Sequence, residues 1–332
     1  MKKIKVAING FGRIGRSTAK LMLQNESIEI VAINDLTDNG TLCNLFKYDS
    51  VHGKFHGTVT SDDNSITING NKITVSSERN PELLPWKSLD VDVVIESTGH
   101  FRTSELANKH IIAGAKKVIL SAPAKSGNIK TVVMGVNESI LDGSETIVSN
   151  ASCTTNCAAP MIKIIDELCE IQHGFLSTIH SYTSIQNLHD GPHKDLRRGR
   201  AATLSIIPTT TGAATAVTKI FTHLEGKMVG SANRVPVPDG SLTELVLTVK
   251  NNKSVEDINT AFKKAAENDL KNILDYNIDP IVSIDIVGNE SSCIFDSTLT
   301  QTLENTIKVG GWYDNEIGYS SRLVDLVVFV SK

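Results

Sequence analysis

Short, nearly continuous apolar runs alternate with amphipathic stretches through the first 150 residues of the chain. Ile4–Ile8, Ile28–Ile33, Val91–Ile95, Val118–Leu120 and Val132–Met134 read as strands buried on both faces of a parallel sheet. Between them, Ile14–Leu23 and Thr103–Ala113 carry helical spacing, and strand–helix–strand order is the mark of a doubly wound α/β fold. After residue 153 the strands lengthen and alternate: Gly174–Ser181, Lys227–Val235, Leu242–Lys250 and Val282–Val287. A helix over Ser254–Glu267 opens on Ser254-Val255-Glu256-Asp257, a capping pattern. The pattern thus predicts an N-terminal Rossmann-type domain over 1–150 and an α+β domain with a mixed or antiparallel sheet over 151–314. The last stretch, from about 315 to 332, is expected to pack back on the first domain; Ser320–Val330 is apolar, and its periodicity suits strand or helix.

Chemistry enters where those elements meet. Gly10-Phe11-Gly12-Arg13-Ile14-Gly15 follows the first strand at once and opens a helix. Gly10 permits the tight turn, Gly12 lets backbone approach a pyrophosphate, and Gly15 lets helix and strand pack closely. Asp35 ends the second strand, where a carboxylate can accept hydrogen bonds from ribose hydroxyls and repel a 2′-phosphate. Leu36-Thr37 supply no arginine for such a phosphate, so the fingerprint predicts NAD rather than NADP.

The second chemical signal is Ala151-Ser152-Cys153-Thr154-Thr155-Asn156-Cys157. It lies between a strand ending in Val148 and Ser149 and a helix carrying Met161, Ile162, Ile165, Leu168 and Cys169 on one face. Asn150 or Ser152 can cap that helix. A thiol at such a mouth is expected to have a lowered pKa, with backbone amides nearby for an oxyanion. A buried structural cysteine is the plainer alternative, but the polar frame favours a nucleophile. Nucleophile and nicotinamide together point to aldehyde oxidation through a thioester, which needs a base. His180 ends an apolar strand before a polar loop, where such a base would project, although a lone histidine there also suits a structural role.

Composition narrows the setting. The 332 residues are 40% apolar and 21% charged, with 33 basic against 37 acidic residues, so nothing draws the chain as a whole to nucleic acid or membrane. Met1–Val6 runs into a strand pattern without a signal-like apolar stretch. The five scattered cysteines suggest free thiols in a reducing cytoplasm, and Cys153 and Cys157 lack the remainder of a zinc ligand set, so no metal is expected. The basic run Lys194–Arg200 reads as a solvated or interface loop, since no aromatic platform for nucleic acid accompanies it.

The chain resembles the phosphorylating glyceraldehyde-3-phosphate dehydrogenases along essentially its whole length. The likeness rests on Asn9–Arg16, Ser121-Ala122-Pro123, Ala151–Asn156, His180–Thr183, Pro192–Arg198, Thr211–Ala214, Arg234-Val235-Pro236 and Trp312–Glu316. The resemblance implies that Cys153 attacks the aldehyde, His180 takes the proton and raises thiolate content by ion pairing, and phosphate cleaves the thioester to 1,3-bisphosphoglycerate. It also implies Thr183 and Arg234 on the substrate's C3 phosphate. Ser152, Thr154, Thr211 and Gly212, with Arg198 nearby, are implied for the incoming phosphate. Gly10, Gly12, Arg13, Ile14, Gly15, Asp35, Arg79, Ser121 and Asn315 are the implied NAD contacts, Asn315 on the nicotinamide carboxamide. A homotetramer is implied, with the loop Ser181–Arg200 reaching a neighbouring subunit. Cys157 is implied as a near neighbour of the nucleophile; read on their own, Cys157 suits a buried thiol and Trp312 core packing. Ile185, Gly191, Thr215 and Ile317 depart from the common family pattern and bear on affinity and cofactor preference. Erythrose-4-phosphate dehydrogenase, an NADP-preferring biosynthetic enzyme and a nucleotide-binding redox sensor or surface-binding paralogue are the alternative readings.

Overall fold

The computed structural model describes residues 2–332. The chain divides into two compact units: the first runs to Val132 and adds Glu138–Ala151 and Ser320–Lys332, and the second comprises Val133–Asn137 and Ser152–Tyr319.

The first unit is built on a nine-stranded sheet in the order Lys130–Thr131, Ile147–Ser149, Lys117–Leu120, Val93–Glu96, Ile4–Asn9, Ile28–Asn34, Asn71–Ser76, Ser65–Ile68 and Val59–Asp62. The first seven run parallel, and the last two are added antiparallel. Helices α1 (Arg13–Met22), α2 (Asn39–Lys47) and α3 (Ser104–Ile112) lie along the connections. Chain order leaves Ile4–Asn9 first in one direction and then in the other, so the topological switch falls between Ile4–Asn9 and Val93–Glu96. Ligands of open α/β sheets bind beyond the carboxyl ends of strands at such a switch. Val6, Ala7, Ile8, Val93, Val94 and Ile95 are buried, as strands covered on both faces require.

The second unit carries a seven-stranded mixed sheet: Ile207–Thr209, Met228–Val235, Ile171–Ser181, Ser241–Val249, Thr306–Tyr313, Cys293–Leu303 and Leu274–Asn277. Helices α4 (Cys153–Cys169), α5 (Ala213–Ile220) and α6 (Val255–Glu267) accompany it. Met161, Ile162 and Ile165 of α4 join Leu176, Leu245, Leu247 and Val309 of the sheet in one apolar core. Helix α6 carries the expected capping box: the Ser254 hydroxyl accepts from Asp257 N at 3.1 Å, and the Asp257 carboxylate accepts from Ser254 N at 3.2 Å. The apolar C-terminal stretch is helical, as α7 (Ile317–Val330).

Two expected strands are not strands. Residues 132–134 lie beyond the short strand Lys130–Thr131, because the Asn137 side chain accepts from Val133 N at 2.8 Å and turns the chain. Ser283–Ile286 is a 3₁₀ turn in place of a strand over Val282–Val287; the Asp285 carboxylate accepts from Val282 N at 2.8 Å and caps it. No helix among the described residues is long and apolar enough to cross a membrane.

Candidate active site

The glycine turn follows the strand Ile4–Asn9 at the switch point. Gly10 has φ +93°, and a Cβ there would come within 2.7 Å of Thr98 N. A Cβ on Gly15 would run into the Gly10 carbonyl oxygen, so this position accepts only glycine without backbone movement. Gly12 is the N-cap of α1, and its missing side chain leaves space with no atom within 4 Å. No side chain caps α1, and its first turn holds no acid. An uncapped helix terminus behind an open glycine fits a pyrophosphate. Asp35 reaches back to this turn and accepts from Phe11 N at 2.8 Å and from Thr37 N at 3.0 Å. Its carboxylate is thereby held beside the glycine turn. The Arg13 side chain is committed elsewhere, 3.1 Å from the Asp49 carboxylate, which leaves its backbone as the part that can serve a nucleotide.

A different turn leads into α4. Ala151 adopts φ +56°, uncommon for a residue with a Cβ, between the strand Ile147–Ser149 and the helix. Ser152 is the N-cap, its hydroxyl accepting from Thr155 N at 3.1 Å, and Cys153 is the first helical residue. The Cys153 sulfur lies 3.4 Å from His180 Nε2. His180 stands near the end of the strand Ile171–Ser181, where alternation also turns Leu176 and Thr178 inward. Thr178 and Thr154 both hydrogen-bond the Tyr313 hydroxyl, at 2.9 and 3.0 Å, and the Tyr313 ring meets His180 edge-on at 5.9 Å. Neither Tyr313 nor Thr178 stands out in the sequence, although Thr178 lies at period-2 spacing from His180.

The electrostatics differ from the expectation of a low thiol pKa and a resting ion pair. Burial pushes the Cys153 thiol up, with Arg234 pulling against it. Burial and the Arg234 guanidinium push the His180 imidazole down to about 3, opposed by the Ser181 carbonyl. Both shifts favour neutral thiol and neutral imidazole over thiolate and imidazolium. Arg234 Nη1 lies 2.8 Å from His180 Nδ1 and donates to Ser181 O at 2.8 Å.

A cysteine paired with histidine and arginine, in a chain that also holds a dinucleotide turn, agrees with what known proteins show. Residues 4–104 match the NAD binding domain of glyceraldehyde 3-phosphate dehydrogenase, and residues 152–315 match its C-terminal domain. The chain belongs to the glyceraldehyde-3-phosphate dehydrogenase family. It is 54% identical over 330 residues to glyceraldehyde-3-phosphate dehydrogenase 2 of Streptomyces avermitilis, covering 98% of each chain. Identity is 52% over 336 residues to the glyceraldehyde-3-phosphate dehydrogenase of Mycobacterium tuberculosis, covering 99% of each. The Geobacillus stearothermophilus enzyme of that name is 51% identical over 330 residues, covering 99% of this chain and 98% of the relative.

The remaining residues singled out by the family resemblance fall as follows. Thr183 Oγ1 is buried with no hydrogen-bond partner, as is Gln186 Nε2. Arg198 donates from Nε and Nη2 to Thr209 Oγ1 at 2.9 and 2.6 Å, and its charge acts on Arg234. Two guanidiniums with an orphaned hydroxyl form a set of donors suited to a phosphate. Gly212 is the N-cap of α5 with open space at its missing Cβ, and the neighbouring Thr211 hydroxyl accepts from Ala213 N at 3.1 Å. Asn315 accepts from the Ser241 hydroxyl at 2.6 Å, which fixes its carbonyl end and leaves its amide nitrogen as the group to offer a carboxamide. Arg79 is exposed beyond the strand Asn71–Ser76, and Ser121 is half-buried, its N donating to Glu96 O at 3.0 Å. Cys157 is buried, while Trp312 is only half-buried, its indole N–H donating to Asp296 at 2.9 Å.

Proposed function

We propose that this chain oxidises glyceraldehyde 3-phosphate in glycolysis, with NAD as oxidant and inorganic phosphate as acceptor, giving 1,3-bisphosphoglycerate. The observation that carries the reading is the Cys153–His180 contact at 3.4 Å beside Arg234; the unpartnered Thr183 hydroxyl follows two residues after Ser181.

The Cys153 sulfur attacks the aldehyde carbon while its proton passes through His180 Nε2 to the aldehyde oxygen, forming a thiohemiacetal. The first amides of α4, those of Cys153 and Thr154, are the donors for the developing oxyanion. Thr183 and Arg234 hold the substrate's own phosphate and so place its C1 over the sulfur. Bound NAD supplies the acceptor for the hydride that leaves C1. His180 Nε2 takes the hydroxyl proton in that step, leaving a thioester on Cys153. A phosphate oxygen held by Ser152, Thr154, Thr211, Gly212 and Arg198 then attacks the acyl carbon. The C–S bond breaks, and the thiolate regains its proton from His180.

Gly10, Gly12, Gly15 and the backbone of Arg13 and Ile14 cradle the dinucleotide in this reading, with Asp35 on the ribose and Asn315 on the carboxamide; Arg79 and Ser121 complete the set. The carboxylate of Asp35 opposes a 2′-phosphate, which favours NAD over NADP. The chain works as a homotetramer. In support, Phe175, Val229 and Val246 stand opposite one another on three adjacent strands and are all exposed, on the sheet face away from Leu176, Leu245 and Leu247. Five free cysteines suit a reducing cytoplasm.

The test is NADH formation by the purified protein from glyceraldehyde 3-phosphate and NAD, with and without phosphate or arsenate. Sustained turnover should require one of the anions. Equal turnover without either would assign hydrolysis, and equal rates with NADP would remove the role given to Asp35.

A further inference from the structure

Asn34, Asn9 and Glu96 end three neighbouring strands of the first unit, and register sets Asn9 opposite both of the others. All three are buried, and their side chains join in one hydrogen-bonded row where the glycine turn begins. Backbone fixes the sense of that row. Glu78 N donates to Asn34 Oδ1 at 2.9 Å, and Asn34 Nδ2 donates to Glu78 O at 2.9 Å, so the Asn34 amide has one orientation. Asn34 Nδ2 also donates to Asn9 Oδ1 at 2.7 Å, which leaves Asn9 Nδ2 as a donor to Glu96 Oε2 at 2.6 Å. A second row comes through buried His110 of α3. The Trp86 indole N–H, which can only donate, meets His110 Nδ1 at 3.0 Å, so the ring proton of His110 is on Nε2. That nitrogen lies 3.1 Å from Glu96 Oε2. The amide and the hydroxyl of Thr98 both donate to Glu96 Oε1, the amide at 2.9 Å.

Every one of these groups donates a hydrogen bond to Glu96, and only an ionised carboxylate accepts from all of them at once. With its single ring proton His110 brings no positive charge, so donors rather than an ion pair hold the carboxylate. The arrangement has one direction. A glutamine in place of Glu96 would turn an N–H toward Asn9 Nδ2 or toward Thr98 N, and the mismatch would pass along the row to Asn34. The row ties together what stands on either side of the glycine turn. A Cβ on Gly10 would come within 2.7 Å of Thr98 N, so the segment gripped by Glu96 packs directly on the turn. Ser97 between them donates from its hydroxyl to Gly10 O at 2.6 Å and from its amide to Asn9 O at 2.8 Å. At the other end, Asn34 O accepts from Gly10 N at 2.8 Å, while the Asn34 side chain holds the backbone of Glu78, next to Arg79.

We infer that Glu96 is a positioning residue for the dinucleotide: its carboxylate fixes Thr98 against Gly10 and, through Asn9 and Asn34, the backbone that carries Arg79. With Asp35 and Arg79 around the adenosine half, on which reading this rests, the row sets the spacing across which that half is held. Cys153 and His180 are no part of the row, so breaking it costs nucleotide affinity and spares the chemical step.

ADP-ribose, which has the adenosine half and the pyrophosphate but no nicotinamide, is the probe, and calorimetry on the full-length protein measures its binding without any turnover. Glu96→Gln should weaken ADP-ribose by about tenfold or more and raise the KM for NAD by a similar factor. In the same variant kcat at saturating NAD and the KM for glyceraldehyde 3-phosphate should stay within about twofold of wild type. Asn34→Ala cuts the row at its other end and should weaken ADP-ribose as well; it carries the test alone if Glu96→Gln does not fold. Because both act through one row, the double variant should bind about as weakly as the weaker single one, whereas two unrelated packing defects would multiply. Retained ADP-ribose affinity in either folded variant, or multiplied losses in the double, overturns the role of Glu96 and leaves the nucleotide reading standing. A loss of kcat with an unchanged KM for NAD overturns that role too. Failure of the wild-type protein to bind ADP-ribose overturns both.

Discussion

Two turns in this molecule lead from a parallel strand into a helix, and they solve opposite problems. At Gly10–Gly15 the helix α1 starts on a glycine N-cap with no capping side chain, so its terminus stays open to an external anion. At Ala151–Cys153 the helix α4 starts on Ser152, whose hydroxyl caps Thr155 N, so the terminus is partly closed and a side chain takes the foremost position. The first turn is made by removing Cβ atoms, and the second keeps one even at φ +56° on Ala151. Open backbone suits a ligand that brings its own charge. A fixed, capped backbone suits a side chain whose sulfur must sit at one distance from one nitrogen.

The comparison breaks most visibly at the second turn. Cys153→Ser should lower turnover by roughly a thousandfold or more while NAD binding, followed by fluorescence or calorimetry, stays intact. Retained dehydrogenase activity would place the nucleophile elsewhere. At the first turn the opposite pattern is expected: Gly15→Ala forces a Cβ into the Gly10 carbonyl and should cost about 1–3 kcal/mol of stability in a denaturant titration. It should also weaken NAD binding while the Cys153–His180 pair remains reactive toward alkylators. Unchanged NAD affinity in that variant would show that the glycines serve packing alone.

The smallest effect sharpens the account of the thiol. Burial raises the Cys153 pKa and lowers that of His180, and both directions oppose a resting thiolate. Alkylation of Cys153 by iodoacetamide should therefore climb by about tenfold per pH unit through and beyond the roughly 8.5 of an ordinary thiol. A plateau reached below that value would mean that a thiolate–imidazolium pair exists before substrate arrives.

Much of the fold and the family was legible in the residues because the signals are local. Near-continuous apolar runs and the Ser254-Val255-Glu256-Asp257 cap depend on neighbours a few residues apart, and both elements formed. Val282–Val287 misled because its apolar residues suit a strand, while Asp285 folds back on its own backbone and makes a turn. Val132–Met134 misled in the same way through Asn137. At the site, the sequence pointed to Cys153 and His180; the helix terminus counted toward a low thiol pKa, while burial shifts both groups toward their neutral forms. Tyr313 was passed over because it lies 159 residues from Thr154, and no spacing rule connects the two.

What the sequence by itself determined was the pair of strand–turn–helix units, the glycines that one of them requires, and the family. Those follow from steric limits on backbone and from periodic burial, which act over a few residues. Only the tertiary structure decided that Arg234 lies against His180, because two paired strands, Ile171–Ser181 and Met228–Val235, run side by side in register with His180 opposite Arg234. Register between strands is a property of the packed sheet, and through it a residue 54 positions away stands 2.8 Å from the His180 ring.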